Sequence, residues 1–298
     1  MRFININVAE FDAHKPSALP LVGDARAILE ELEIATKGFQ VDDSYHGVTS
    51  RLRGEWEKEV DRIYSLRHGP PISQGEVIGA VNRAAGPKDV VVCAAGSLPG
   101  DLHKLWRAHD NKAYHLEYGY SCMGYEIAGG LGVKMAAPER EVYVMVGDGS
   151  YLMMSQEIVT ELQEGYKLNI ILLDNHGFSS IGGLSRACGN TGMGTEYRYR
   201  KDGTLSGPQI QIDFVANAAS LGARTVRVNT REELEVALGD ARNQSLTSVI
   251  VVETDYSQRV PGYESWWDVP IAEVSEVETV QAAHQKYVEA KKKERYFV

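Results

Sequence analysis

Apolar residues along this chain come in blocks, and the blocks alternate in period. Val142–Val146 is an unbroken apolar run, Leu168–Leu173 is nearly one, and shorter relatives of the pattern lie at 89–93, 224–228 and 248–253. Runs of this kind read as strands buried on both faces, the habit of parallel sheets. Helix-patterned segments fill the gaps. Residues 150–164 place Leu152, Ser155, Val159 and Leu162 on one face and end at Gly165, and helices are predicted at 212–221 and 230–243. Thr230 with Glu233, and Ser73 with Glu76, form capping boxes, the second opening a helix that runs through Ala85. Met123–Ala137 is rich in small residues and helical, stopping before Pro138. Strands that alternate with helices predict an α/β fold, a parallel sheet with helices on both faces.

The ends depart from this rhythm. Phe3–Val8 reads as a buried strand, and Asp24–Lys37 as a helix with Gly38 as its C-cap. One strand and one helix cannot bury their own apolar faces, so residues 1–38 are expected to be the tail of a second α/β domain. Residues 39–72 are polar and charged, a linker with Trp56 and Tyr64 as docking points, broken at Pro70-Pro71. The main domain then spans 73–298. Within it, 176–211 is glycine-rich and aperiodic, a length that points to a functional or mobile loop. Residues 277–295 read as an exposed helix whose Lys291-Lys292-Lys293 end is a solvated last turn.

Composition narrows the partners. The 298 residues carry a net charge of −10, which disfavours nucleic acid and anionic membranes. Cys93, Cys122 and Cys188 are too scattered for a zinc or redox motif, and the last two read as small buried residues. No signal peptide opens the sequence and no apolar run reaches about 18 residues. A cytoplasmic protein without a membrane span is expected.

The chemistry sits at two strand ends. Gly147-Asp148-Gly149 follows the run at 142–146, and Asp174-Asn175 closes the run at 168–173. Ligands of parallel sheets bind at such C-terminal ends. A carboxylate with a neutral oxygen suits a hard cation such as Mg²⁺. The glycines let a phosphate approach the backbone, and a helix opening at Ser150 would turn free N–H groups toward it. Taken alone, Gly-Asp-Gly fits an ordinary turn as well.

Together, Gly147–Gly149, Asn175 and Gly177 resemble the metal and diphosphate motif of thiamine-diphosphate enzymes. The resemblance implies Mg²⁺ held by Asp148, Asn175 and the main chain of Gly177, with Asp174 standing where the family often has Asn. It also implies that Gly119–Tyr125 grips the aminopyrimidine ring, with Met123 propping the cofactor and the Ser121 carbonyl accepting from its amino group. The loop 94–103 would contact the diphosphate through Gly96 and Ser97, with His103 as its side-chain contact or a plain surface histidine. Gly147, Gly149 and Ser150 would complete the cradle. His115 and Glu117 fit a substrate-facing or a structural role equally.

The stretches at 115–132 and 142–165, Gly194–Arg200 and Gly262–Trp267 are similar to one branch of that family. Its members open a cyclic, inositol-derived diketone to a linear deoxy sugar acid. The implied partners are that small molecule and a second copy or chain, because the family's activating glutamate lies on a pyrimidine-binding domain for which this sequence has no candidate. The chain is therefore expected to be the C-terminal part of such an enzyme. Two rivals stay open: an acetolactate synthase-like carboligase or decarboxylase, and a non-catalytic cofactor-binding remnant.

Overall fold

The computed structural model describes residues 3–15, 18–192, 194–262 and 266–294. They divide into two compact units, one running up to Glu57 and resuming at Lys286, the other spanning Lys58–Gln285.

In the first unit β1 (Ile4–Asn7) pairs in parallel with β2 (Leu19–Val22) across a short helix α1 (Glu10–Ala13). Helix α2 (Ala25–Ala35) follows, its first turn capped by the Asp24 carboxylate, which accepts from the amides of Arg26 and Ala27. The helix ends at a Thr36 cap, two residues before the expected Gly38, which does carry a positive φ of 85°. The strand expected to be buried is not: Ile4 is 56% exposed. Two strands have no second layer to cover both faces. The polar segment 39–72 is mostly one helix, α3 (Asp43–Tyr64), and the division between the units falls inside it. Its last turn buries Val60, Ile63 and Tyr64, and the Tyr64 hydroxyl donates to the carbonyl of Leu105.

In the second unit α4 (Gln74–Ala84) starts at the Ser73–Glu76 capping box. Next come β3 (Val90–Cys93), α5 (Ser97–Leu105), β4 (Tyr114–Leu116) and α6 (Tyr125–Ala136). They are followed by β5 (Val142–Gly147), α7 (Asp148–Met154), α8 (Glu157–Glu164) and β6 (Asn169–Asp174). The chain closes with α9 (Ser179–Ala187), α10 (Phe214–Ser220), β7 (Arg224–Val228), α11 (Arg231–Arg242), β8 (Ser248–Glu253) and α12 (Glu278–Lys291). The six strands form one wholly parallel sheet in the order β4-β3-β5-β6-β8-β7.

Helices cover both faces. Ile127 of α6, Tyr151 of α7, Ile158 of α8 and Phe214 of α10 share one core with alternate residues of β3, β5, β6 and β8. Helices α4, α5 and α11 pack on the other face. Gly130 lets α6 lie close on the sheet, since a Cβ there would come within 2.4 Å of the Val144 side chain.

The strand order has one reversal. β3 and β5 are neighbours, yet the chain leaves β3 for β4 on one side and leaves β5 for β6 on the other. The loops after β3 and β5 therefore part, opening a crevice at their C-terminal ends, the switch point where open parallel sheets bind ligands.

Candidate functional site

Four connections meet at that crevice: 94–97 after β3, 117–124 before α6, 147–150 after β5, and 174–179 after β6. Their residues Gly96, Ser97, Met123, Gly147, Gly149, Ser150, Asn175 and Gly177 line one narrow cleft with an enclosed volume of about 40 Å³. That is room for an ion and little more, and the cleft opens toward solvent.

Asp148 is fully buried as the first residue of α7, two positions before the predicted start at Ser150. Its carboxylate accepts from the Gly149 amide at 2.7 Å and the Gly177 amide at 2.9 Å. Burial, then the neighbouring Asp174 carboxylate, push Asp148 up to about 8. Two facing buried carboxylates are unfavourable unless a proton or a cation sits with them. Asn175 adds a buried side-chain oxygen with no hydrogen-bond partner. Such an orphan is unusual in a folded protein. Among the described residues no three His, Cys, Asp or Glu side chains converge, so a cation here must draw on amide and main-chain oxygens. The donor set fits a hard, oxygen-loving ion such as Mg²⁺.

The backbone around these groups is specialised. Gly177 holds φ at +144°, and a Cβ on it would lie 2.3 Å from the Thr195 carbonyl oxygen. A Cβ on Gly149 would lie 2.8 Å from the Phe178 ring. Gly96 holds φ at +100° and ψ at −157°, immediately before α5.

The remaining expected residues distribute as follows. Ser97 opens α5, and its hydroxyl meets that of Ser179 at 3.0 Å. The segment 97–103 is thus helix rather than loop. His103 lies in the last turn of α5, outside the narrow cleft, with its ring against Tyr114 and Tyr118. It lines a wider chamber that shares Gly96, Ser97 and Asn175 with the cleft. Ser121 is exposed with φ of 54°. Its loop folds around Glu117, which accepts from the amides of Cys122 at 2.7 Å and Tyr120 at 3.1 Å. Those bonds hold Glu117 below its ordinary range. His115 bonds the Tyr125 hydroxyl at 2.7 Å, and burial lowers its pKa. Both residues are tied into local structure. Cys122 is exposed and Cys188 half-buried, against the expectation that both are buried. Tyr263, Glu264 and Ser265 of the Gly262–Trp267 stretch lie outside the described residues.

Two features of the site are not foreshadowed by the sequence reading. Glu126, 1% exposed, accepts from the Ser150 hydroxyl at 2.7 Å and the Gly124 amide at 3.1 Å. Its other oxygen lies 3.4 Å from the Ala95 amide, so one carboxyl joins three of the four connections. Burial raises its pKa. A glutamate in a small-residue helix looks like a first-turn charge until its surroundings are known. Tyr197 places a buried hydroxyl with no partner beside the cleft, 3.3 Å from where a Gly149 Cβ would stand.

Residues 94–252 match the family described as thiamine pyrophosphate enzyme, C-terminal TPP binding domain. The 3D-(3,5/4)-trihydroxycyclohexane-1,2-dione hydrolase 2 of Bacillus cereus (strain ZK / E33L) is 40% identical across 100% of this chain and 50% of its own length. The hydrolase of that name from Bacillus cereus (strain AH820) is 40% identical over 97% of this chain and 49% of its own length. The chain thus spans about half the length of the curated relatives it matches. In structure it is similar to the thiamine diphosphate-dependent 4-hydroxybenzoylformate decarboxylase of Rhodococcus jostii RHA1. That match has a TM-score of 0.54 and 22% identity, and covers 63% of this chain and 33% of the other. A likeness at that identity speaks for the fold alone.

Proposed function

The chain belongs to the thiamine pyrophosphate enzyme family, and from that premise we propose that it is the cofactor-holding part of a hydrolase that opens 3D-(3,5/4)-trihydroxycyclohexane-1,2-dione. In that reaction one ring C–C bond is exchanged, at the expense of water, for a C–O and a C–H bond, giving open-chain 5-deoxy-glucuronate. The observation that carries the reading is identity of 40% along the whole chain to hydrolases of that name. The protein would work in the cytoplasm, as a homo-oligomer or with a chain that completes the site.

When bound, thiamine diphosphate supplies the electron sink that cleavage beside a carbonyl requires. This chain's own residues do the holding. Asp148, Asn175 and the Gly177 carbonyl would bind Mg²⁺, whose charge offsets both the diphosphate and the Asp148–Asp174 repulsion. Gly96, Ser97, Gly147, Gly149 and Ser150 line the cradle, where the absence of side chains at the glycines lets phosphate oxygens meet the backbone. Met123 forms the apolar wall beside them, and Ser121, two residues earlier, offers its carbonyl to the amino group of the pyrimidine. His103, at the chamber wall, is placed to meet substrate or the outer phosphate.

Asp148→Ala should weaken Mg²⁺-dependent thiamine diphosphate binding by about 100-fold or more, since it removes the one charged ligand. Calorimetric titration with and without Mg²⁺ measures this. Unchanged affinity would refute the metal assignment.

A further inference from the structure

Beside the narrow cleft lies a chamber of about 570 Å³, within the range of small-molecule sites. It shares Gly96, Ser97, Asn175, Ser179 and Ser180 with the cleft, so whatever fills it adjoins the cofactor. Asp101 and Lys104, successive polar residues on one face of α5, stand on its wall as an ion pair at 3.1 Å. Their side chains are 14% and 13% exposed. Burying such a pair costs more than packing apolar side chains there, so stability alone does not account for it.

The pair is braced. Gln74 donates to Asp101 at 2.7 Å, and Lys104 donates to the Pro261 carbonyl at 3.2 Å. A carboxylate has about four acceptor positions, and these two bonds use half of them on Asp101. The charged residues lining the chamber are Asp101, Lys104, Asp255 and Arg259, two of each sign. Asp255 is engaged by His68 at 2.9 Å. A site of zero net charge with a free-facing acceptor suits hydroxyl groups, each of which donates as well as accepts. It does not suit an anion.

We propose that this chamber takes a neutral, polyhydroxylated ring and that Asp101 accepts from its hydroxyl groups, separating such molecules from 2-oxo acids. The proposal rests on the cofactor reading above and names the substrate class that accompanies it.

The test uses the purified chain, with and without thiamine diphosphate and Mg²⁺, and two probes, myo-inositol and pyruvate, observed by ligand-detected NMR. Saturable binding of myo-inositol is expected, weakened about tenfold or more in Asp101→Asn. Gly100→Phe should abolish it, because a Cβ at Gly100 meets nothing within 4 Å and the new ring can fill the chamber without a clash. Thermal melts confirm that both variants fold, and the two act independently, so either one alone decides the matter. Binding of myo-inositol unaltered by both substitutions, no binding of it to the unsubstituted chain, or pyruvate binding as tightly, overturns the proposal. Cofactor titration of the same samples separates the two readings. Loss of cofactor binding alone defeats the function, while loss of polyol binding alone defeats the chamber.

Discussion

At the scale of single residues the site is a problem in satisfying buried polar groups. The Asn175 oxygen and the Asp148–Asp174 pair call for a cation, whereas Glu126 is satisfied from within. Glu126→Leu would leave the Ala95 amide without its acceptor and the Ser150 hydroxyl without its own. A loss of about 2–3 kcal/mol of stability is expected, together with weaker cofactor binding because three of the cleft's connections are released. Glu126→Gln, which keeps the shape but replaces one acceptor with a donor, should fall between. Urea unfolding and cofactor titration of the two variants check this, and wild-type values in Glu126→Leu would show that the carboxyl ties nothing together.

At the scale of elements, Glu161 of α8 gives the fold a pH dependence. Its side chain is fully buried, Thr247 donates to one oxygen at 2.9 Å, and the other oxygen has no partner. Burial pushes its pKa up to about 8. The unfolded value is the ordinary one near 4.3. Between the two values the folded state holds a proton that the unfolded state has lost, so stability falls as pH rises. The contribution is present in full below the unfolded value and is lost as the pH climbs to about 8, on the order of a few kcal/mol. Glu161→Gln should remove that slope. In thermal melts from pH 5 to 8.5, the Tm difference between the chains should change by several degrees. A constant difference would contradict the assignment.

The elements also show what the sequence could say. The apolar runs at 142–146 and 168–173 are β5 and β6, and both capping boxes are in place, because burial on two faces and a local cap leave local signatures. The helix read over 150–164 is α7 and α8, broken at Ser155-Gln156, a bend that no Gly or Pro marks. The two short edge elements β2 and β4 were invisible, being three or four residues long with mixed polarity. Helix α5 hides behind Pro99 and Gly100, which read as loop residues. Pro99 sits in the first turn, where its missing N–H costs nothing. The Gly147–Ser150 and Asn175 pair was legible because both halves follow strong strands. Glu126 was not, since its partners are 24 residues away at Ser150 and 31 away at Ala95.

At the scale of the whole molecule, the chain spans about half the length of its hydrolase relatives. It should bind thiamine diphosphate with Mg²⁺ by itself. Turnover of the diketone is expected only when the remaining half of such a relative is supplied, and coupled assays with and without that half decide it. Robust turnover by the chain alone would mean that every group the reaction needs lies within these residues. The switch point has a further thermodynamic meaning. The connections at 94–97, 117–124, 147–150 and 174–179 are far apart in sequence, and only β3, β5 and β6 in register bring their ends together. An unfolded chain therefore has almost nothing with which to hold the ligand. Each tenfold excess of cofactor over its dissociation constant then adds about 1.4 kcal/mol to the free energy of unfolding. Occupancy and foldedness become linked quantities, and a melting curve recorded against cofactor concentration reads both.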